Sequence, residues 1–255
     1  MPSIEELLHR RTDLSTFLVH FTRDTEEASA ADNLVSILSG PRIQARTAYG
    51  MARTLAERFP EVAATQKTVC FTETPLEHAW MMNSQIPNRQ VHFNGYGIAF
   101  TKTFARRWGA NPVWYLDITP SGNDWLTVPV QELRDQAEQA ATAPGGDVDA
   151  AQLAAAPILQ LTPFIEQMGP TRDGRKEFWW EREWRRVGDL GFQPFDIVVV
   201  FAPEHEHRAV RERLAATGFY GDIMMPAFVD ARWGLERMIG AMAKVPAQDL
   251  GPFPS

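Results

Sequence analysis

Two short segments near opposite ends of the chain carry residues that could do chemistry, His20-Phe21-Thr22 and Glu181-Arg182-Glu183. Each places polar side chains beside a run that is predicted to form a strand. If the fold brings the two segments together, a nucleotide-sized cleft has a histidine on one wall and a carboxylate on another. This geometry is a hypothesis, because the sequence gives the spacing of these residues and not the distance between them.

Five segments carry a resemblance to a known family. In chain order they are Phe17–Thr22, Asn33–Gly40, Val69–Leu76, Tyr96–Lys102 and Trp180–Arg185. Together they resemble the bacterial abortive-infection proteins of the AbiGi type, which are related to a larger uncharacterised group and more distantly to ADP-ribosyltransferases. The resemblance runs from about Phe17 to about Phe201, and its motifs are individually short and only jointly specific.

The resemblance implies both a fold and a function. The implied fold class is α+β, with the split mixed or antiparallel sheet of ADP-ribosyltransferases, flanking helices and a helical insert. The implied function is NAD-dependent transfer of ADP-ribose to a protein or nucleic-acid acceptor, in phage defence or a toxin-antitoxin setting. NAD would be the substrate, a partner protein of a defence system is expected, and no metal is expected.

His20 matches the histidine that opens the nucleotide site of ADP-ribosyltransferases. The resemblance implies that it orients the nicotinamide-side ribose of NAD by a hydrogen bond. A neutral imidazole can donate to or accept from a ribose hydroxyl without adding charge near the pyrophosphate. The alternative is a histidine that bonds a backbone carbonyl at the end of a strand.

Glu183 is the stronger candidate for the reaction itself. Cleavage of the bond between nicotinamide and ribose develops positive charge on the sugar, which a carboxylate bonded to the 2′-hydroxyl stabilises. Glu181 is two residues away, so on a strand it shares a face with Glu183. This spacing resembles arginine-directed ADP-ribosyltransferases, in which the first glutamate serves the acceptor and the second the ribose. The alternative is an exposed strand of alternating charges paired with a neighbouring strand.

The resemblance also implies an aromatic ring that stacks on nicotinamide. Ala99 falls where the stacking tyrosine is expected, and this departure puts catalysis in doubt more than binding. Trp180 is a further candidate for the apolar wall. The residues expected to bind NAD beside His20 are Thr22, Arg42, Phe71, Tyr96 and Phe100.

Two other functions remain open. A catalytically silent member would act as a nucleotide-binding or partner-binding component, an antitoxin or sensor of a defence system. Ala99 favours this alternative, whereas His20 together with Glu181 and Glu183 favours the enzyme. Simple NAD hydrolysis uses the same ribose-activating groups and needs no macromolecular acceptor.

One globular domain over residues 1–255 is predicted, since 44% of residues are hydrophobic and can form one sizeable core. A helical insert is expected at about 130–168 and a flexible tail at about 245–255. The single cysteine, Cys70, fits a reducing compartment and is expected to be buried and inert. No signal peptide or membrane-spanning run is found, which predicts a cytoplasmic protein. The net charge of −7 argues against sequence-independent duplex binding.

Short strand-like runs that alternate with helix-like segments predict strands at 17–21, 67–72, 91–100, 113–118, 184–187 and 195–201. A helix capped by Asp24 is expected to end at Gly40, and the next helix to end at Pro60. Thr74-Pro75-Leu76-Glu77 is the clearest helix start in the chain. The motif His205-Glu206-His207 suggests a metal, but histidines two apart on a helix point to different faces.

Overall fold

The computed structural model describes residues 11–85, 91–119, 124–171, 174–220 and 225–245, where the fold is mixed α+β with several sheets. The strands are β1 (Phe17–Phe21), β2 (Arg42–Ile43), β3 (Thr47–Ala48), β4 (Lys67–Thr72), β5 (Gly97–Thr101), β6 (Asn111–Pro112), β7 (Trp114–Asp117), β8 (Ile165–Thr171), β9 (Gly174–Lys176), β10 (Glu183–Val187), β11 (Leu190–Gly191), β12 (Ile197–Phe201) and β13 (Ala227–Val229). The α-helices are α1 (Ala30–Ser39), α2 (Arg53–Arg58), α3 (Pro60–Gln66), α4 (Lys102–Arg107), α5 (Asp124–Ala140), α6 (Ala150–Ala155), α7 (Pro157–Leu161), α8 (His207–Ala216) and α9 (Leu235–Met242). Short 3₁₀ helices span Leu76–Asn83, Thr162–Phe164, Trp179–Glu181, Pro194–Asp196 and Glu204–Glu206.

The chain divides into two compact units. The first unit comprises Met1–Arg42, Phe71–Arg107 and Gly191–Ser255, and the second comprises Ile43–Cys70 and Trp108–Leu190. The division falls within β4, between Cys70 and Phe71. The prediction of a single domain over the whole chain stays a prediction.

In the first unit the strands follow the order β13, β12, β5, β1 and the end of β4. The pairing of β12 with β13 is parallel, and β5 is antiparallel to both β12 and β1. β12 lies inside this order, as its almost continuous apolar run predicts. Leu18 faces Phe100 across the pair of β1 and β5, and both side chains are buried. Burial of such side chains stabilises the unit by about 25 cal/mol per Å² of apolar surface.

In the second unit, β3 and β10 both pair with β4, and β6 pairs with β10. A separate three-stranded sheet contains β7, β8 and β9, in which β8 is parallel to β7 and antiparallel to β9. The helices surround a core whose buried residues include Leu55, Val62, Leu153 and Leu159. The fully buried amide of Gln66 donates to the carbonyl of Leu159 at 2.7 Å, which satisfies a polar group inside this core.

The first helix starts later than predicted. α1 begins at Ala30, because Ser29 and Asp32 form its capping box. Asp24 does not cap a helix at its own position, since its Oδ1 accepts from the backbone N–H of Ala30 at 2.7 Å. The end at Gly40 is as predicted.

The segments at Pro60 and Pro75 differ from the helices predicted there. α2 ends at Arg58, and Pro60 begins α3 instead of a loop, because proline fits the first turn of a helix. The segment after Pro75 is a 3₁₀ helix and not an α-helix, and Thr74 does not cap it. The hydroxyl of Thr74 is bonded at 2.8 Å to that of Thr72 instead.

The other predicted elements differ mainly in extent. β5 begins at Gly97 and not near Val91, and β12 begins at Ile197 after a 3₁₀ turn. Helices α5 to α7 lie within 124–161 with non-helical residues between them, and the region predicted to be helical also contains the start of β8 at Ile165. Among the helices in the described ranges, none is both long and apolar enough to cross a membrane.

Candidate functional site

The predicted site residues are divided between the two units. The first unit holds His20, Thr22, Arg42, Phe71, Tyr96 and Phe100. The second unit holds Glu181 and Glu183. The pairing of His20 with Glu183 across one dinucleotide therefore stays a prediction, and each group is described within its own unit.

His20 lies beside an aromatic wall in the first unit. The pairing of Val19 with Thr72 places His20 opposite Phe71, and their ring centroids are 6.0 Å apart in an edge-on arrangement. Phe71 contacts Phe100 at 6.3 Å and 87°. The half-buried imidazole thus shares one face of the sheet with Phe71 and Phe100, two of the residues expected to bind NAD.

Ala99 is next to Phe100 on β5, and its side chain lies on the opposite face of the sheet. It pairs with Val19 and Val199 and is fully buried. Because side chains alternate along a strand, position 99 faces away from His20, whereas Phe100 faces the same way. A stacking ring at position 99 would not reach the imidazole of His20.

Gly97 lets the backbone of β5 approach β1 closely. A Cβ at this position would lie 2.8 Å from the carbonyl oxygen of His20, which is closer than real Cβ contacts. A glycine inside a strand is typical of such a close approach of another backbone.

Thr22 and Tyr96 are neighbours, since the backbone N–H of Thr22 donates to the carbonyl of Tyr96 at 2.9 Å. The buried hydroxyl of Thr22 donates to the carbonyl of Ala30 at 2.8 Å, so it connects β1 to α1. Burial, and then the nearby carboxylate of Glu206, raises the pKa of the Tyr96 phenol. Arg42 is an exposed residue of β2. Thr22 therefore has a structural partner, and Tyr96 belongs to an acidic environment.

Glu183 is held by a buried arginine in the second unit. Arg185 donates from Nε to Oε1 at 2.8 Å and from Nη2 to Oε2 at 2.9 Å, while the hydroxyl of Tyr115 donates to Oε2 at 3.0 Å. The two residues share a face of β10 because they are two apart on a strand. Arg185 is only 2% exposed. Both oxygens of the proposed catalytic carboxylate thus have donors within the protein.

Arg185 also connects Glu183 to neighbouring elements. Its Nη1 donates to the carbonyl of Pro163 at 2.7 Å, and its Nη2 to Glu166 Oε2 at 2.9 Å. Its guanidinium carbon lies 5.0 Å from the ring centroid of Tyr49. Lys176 adds a second cation, 2.7 Å from Glu166. We call Tyr115, Glu166, Lys176, Glu183 and Arg185 the buried charge network.

The electrostatics of the buried charge network follow from its pairing. Burial acts to lower the pKa of Arg185, but Glu183, Cys70 and Glu166 together outweigh it and raise that pKa well above the usual value. Burial, and then Glu183, raises the pKa of the Tyr115 phenol. Burial, and then Glu183, also raises the pKa of the Cys70 thiol, which fits the prediction of an inert cysteine.

Glu181 is not on the strand that carries Glu183. It ends the 3₁₀ helix Trp179–Glu181, and Arg182 follows in the left-handed conformation with φ of 46°. The two glutamates are therefore not related by strand alternation, and the prediction that they share a strand face is wrong.

The histidines of His205-Glu206-His207 have different environments. His205 lies in the 3₁₀ helix and its side chain is 81% exposed. His207 begins α8, and its Nε2 lies 2.9 Å from the carbonyl oxygen of Ala202. Burial lowers the pKa of His207.

A family model matches residues 51–205, which is more than half of the chain. Its description is "Putative abortive phage resistance protein AbiGi, antitoxin". The chain belongs to the AbiGi family. The AbiGi match includes the buried charge network and the aromatic wall of Phe71 and Phe100, but it begins after His20. No curated protein and no solved structure matches the chain. The relationship of this AbiGi chain to ADP-ribosyltransferases stays a prediction.

Proposed function

We propose that this AbiGi chain is an antitoxin of a phage-defence pair, which acts by binding a partner protein. The observation that carries the proposal is the occupation of both Glu183 oxygens by Arg185 and Tyr115. The antitoxin description of the matching family supports the same conclusion. The single cysteine is consistent with action in the cytoplasm.

The pairing of Glu183 favours a structural role over a catalytic one. A carboxylate that stabilises a sugar cation acts through its uncompensated negative charge. Here the guanidinium of Arg185 already compensates that charge. Turning Glu183 towards a substrate would leave Arg185 without one of its two carboxylates, and breaking a buried ion pair typically costs about 3–5 kcal/mol. A silent, partner-binding protein does not require this step.

The charge of the chain favours a positively charged partner. Its net charge is −7 at neutral pH, and complementary charge speeds association and suppresses wrong partners. A basic toxin would meet this requirement.

The test is co-expression in a bacterial host with the product of each gene that neighbours the gene for this chain. We expect one product to stop growth when expressed alone, and this chain to restore colony formation and to co-purify with that product. A toxic neighbour that still kills in the presence of folded, expressed chain would overturn the proposal.

NAD-dependent ADP-ribosyl transfer is a second candidate, with the split sheet of ADP-ribosyltransferases as its fold. The observation that favours it is the half-buried imidazole of His20 beside Phe71 and Phe100. In this candidate NAD is the substrate, and the acceptor is a protein or nucleic acid. NAD hydrolysis would use the same groups without an acceptor.

Incubation of the purified chain with labelled NAD and host lysate separates these activities. Label on protein, RNA or DNA would support transfer. Release of nicotinamide without labelled macromolecule would support hydrolysis, and intact NAD would remove both enzymatic candidates.

A further inference from the structure

Tryptophan side chains are exposed where β6 pairs with β10 in the second unit. Trp108 and Trp114, on either side of β6, are 52% and 53% exposed, although tryptophan is normally well buried. Trp184 is half-buried and pairs with Pro112 across the two strands. Exposed aromatic surface of this size marks an interaction site.

Alternation along the strands separates this surface from the buried charge network. The backbone N–H of Val113 donates to the carbonyl of Glu183 at 2.8 Å, so the pairing with β10 continues beyond β6. The hydroxyl of Tyr115 reaches the carboxylate of Glu183 on one face. Trp114, next to Tyr115, therefore lies on the opposite face together with Trp184, and the two tryptophans are diagonal neighbours at about 7–8 Å.

Two cations lie on the same face as these tryptophans. Arg186 is next to Arg185 on β10, so its side chain lies on the face opposite to Arg185. Tyr49 contacts Arg185, which places the preceding residue, Ala48, on the other face, and Ala48 pairs with Lys67 at the start of β4. We call Lys67, Pro112, Trp114, Trp184 and Arg186 the tryptophan face.

The charge of the tryptophan face is positive. In the described part of the chain neither Arg186 nor Lys67 forms a salt bridge, and the Nε of Arg186 donates to the carbonyl of Trp108 at 3.2 Å. Burial lowers the pKa of Arg186, against the charge of Asp189. Within strands β3, β4, β6 and β10 the acidic residue is Glu183, on the other face. A negatively charged ligand with flat rings would therefore be favoured here.

We propose that the tryptophan face binds single-stranded nucleic acid by stacking of its bases. Every base offers a π-face to tryptophan, while arginine and lysine contact the phosphates. A duplex hides the faces of its bases, which agrees with the net charge of −7 that argues against duplex binding. A basic toxin would be repelled by Arg186 and Lys67, so this face is distinct from the surface that the proposed function requires.

The first test uses the full chain and fluorescein-labelled oligonucleotides. Fluorescence anisotropy compares oligodeoxythymidine of about 12 nucleotides with a duplex of the same length and with an abasic strand that has the same phosphates. At about 50 mM salt we expect the single strand to bind with a dissociation constant on the order of 10 µM, at least about tenfold more tightly than either control. Equal binding of the abasic strand, or no binding of the single strand, would overturn the inference.

The corresponding oligouridine distinguishes RNA from DNA as the source of the strand. Preference for either one supports the inference and identifies the source.

Trp114→Ala tests the stacking, and Trp80→Ala, at a 51% exposed tryptophan of the first unit, is its matched control. We expect Trp114→Ala to weaken binding of the single strand about tenfold, because one stacked base is lost. Trp114→Phe keeps a ring and should bind within about threefold of the wild type. Circular dichroism checks the fold of each variant. Unchanged binding in Trp114→Ala, or an equal loss in Trp80→Ala, would place the strand elsewhere.

Arg186→Gln and Lys67→Gln test the phosphate contacts, with Arg53→Gln, at a largely exposed arginine of α2, as the control. Each substitution on the tryptophan face should lower the dependence of the logarithm of the binding constant on the logarithm of the salt concentration by about 0.7, the value for one phosphate of a single strand. The control should keep the wild-type slope. Wild-type slopes in both test variants would contradict the inference.

A protein ligand for the same face is a separate outcome. If the wild type binds no single strand and Trp114→Ala loses binding of a toxin, the tryptophan face belongs to the protein interface and the inference is overturned. If the chain neutralises a toxin, binds no strand and Trp114→Ala neutralises it equally well, the inference fails and the antitoxin proposal stands.

Discussion

The guanidinium of Arg185 donates to both carboxylate oxygens of Glu183, at 2.8 Å and 2.9 Å, from a position two residues further along the same strand. This fork is the geometry in which arginine binds a carboxylate most strongly. Since Arg185 is almost completely buried, the pair makes the stability of the second unit depend on a charge.

Removal of Arg185 should destabilise the protein strongly. Arg185→Ala leaves Glu183 and Glu166 without a shared cation, and we expect the free energy of unfolding to fall by about 3–5 kcal/mol. Denaturant titration followed by circular dichroism measures this change. Arg175→Ala, at a largely exposed arginine, is the control and should change stability by less than about 1 kcal/mol. Similar losses in both variants would contradict a structural role for the buried charge network.

The pairing of Glu166 predicts a loss of stability in acid. Burial acts to raise the pKa of Glu166, but Arg185 and Lys176 outweigh it and hold that pKa below its usual 4.5. A depressed folded pKa contributes stability that is present above pH 4.5 and is lost as the pH falls below 4.5 towards the folded pKa. Glu166→Gln should therefore flatten the dependence of the unfolding free energy on pH in this acidic range. The exposed Glu57→Gln is the control and should keep the wild-type slope.

Two glycines with the same positive φ should respond differently to a methyl group. Gly50 and Gly109 both have φ of 84°, but a Cβ at Gly50 would lie 2.0 Å from the carbonyl oxygen of Thr162, whereas a Cβ at Gly109 meets nothing within 4 Å. Gly109→Ala should cost about 1–2 kcal/mol, from the left-handed conformation alone. Gly50→Ala should cost clearly more, because backbone must also move. Thermal unfolding of both variants tests this, and equal losses would show that Thr162 shifts freely.

The NAD-dependent enzyme candidate predicts different kinetic effects for substitutions at Glu183 and at His20. If the chain releases nicotinamide, Glu183→Gln should lower turnover by roughly a hundredfold or more while NAD affinity stays within about tenfold, because the carboxylate acts on the transition state. His20→Ala should weaken both, since its hydrogen bond would already exist in bound NAD. Calorimetry with nicotinamide-release kinetics measures the two effects. Equal small losses of turnover in the two variants would mean that these residues do not perform the reaction.

The sequence predicts elements well where local signals dominate. β1 and β4 have the predicted bounds, because each is an apolar run with clear punctuation. A helix starts after Pro75 as predicted, but the cap at Thr74 is wrong because its hydroxyl bonds Thr72, two residues away. Local patterns do not reveal which of two possible hydrogen bonds a threonine will make.

The candidate site was predictable only in part. The predicted strand 184–187 begins one residue after Glu183, and extending it by that residue would have placed Glu183 and Arg185 on one face. Tyr115 and Glu166 come from distant parts of the chain, and no spacing rule connects them to Glu183. The position of Glu181 was misjudged because nothing in the local pattern shows that Arg182 adopts a left-handed conformation.

The orientation of Ala99 limits any attempt to engineer nicotinamide stacking into this chain. A substitution chosen by position along the motif would insert a tyrosine between Val19 and Val199, where it would overpack the core without approaching His20. On β5 the position directly opposite His20 is Ile98, which is also fully buried. Adding an aromatic ring at position 98 would therefore require a second substitution that makes a neighbouring buried side chain smaller.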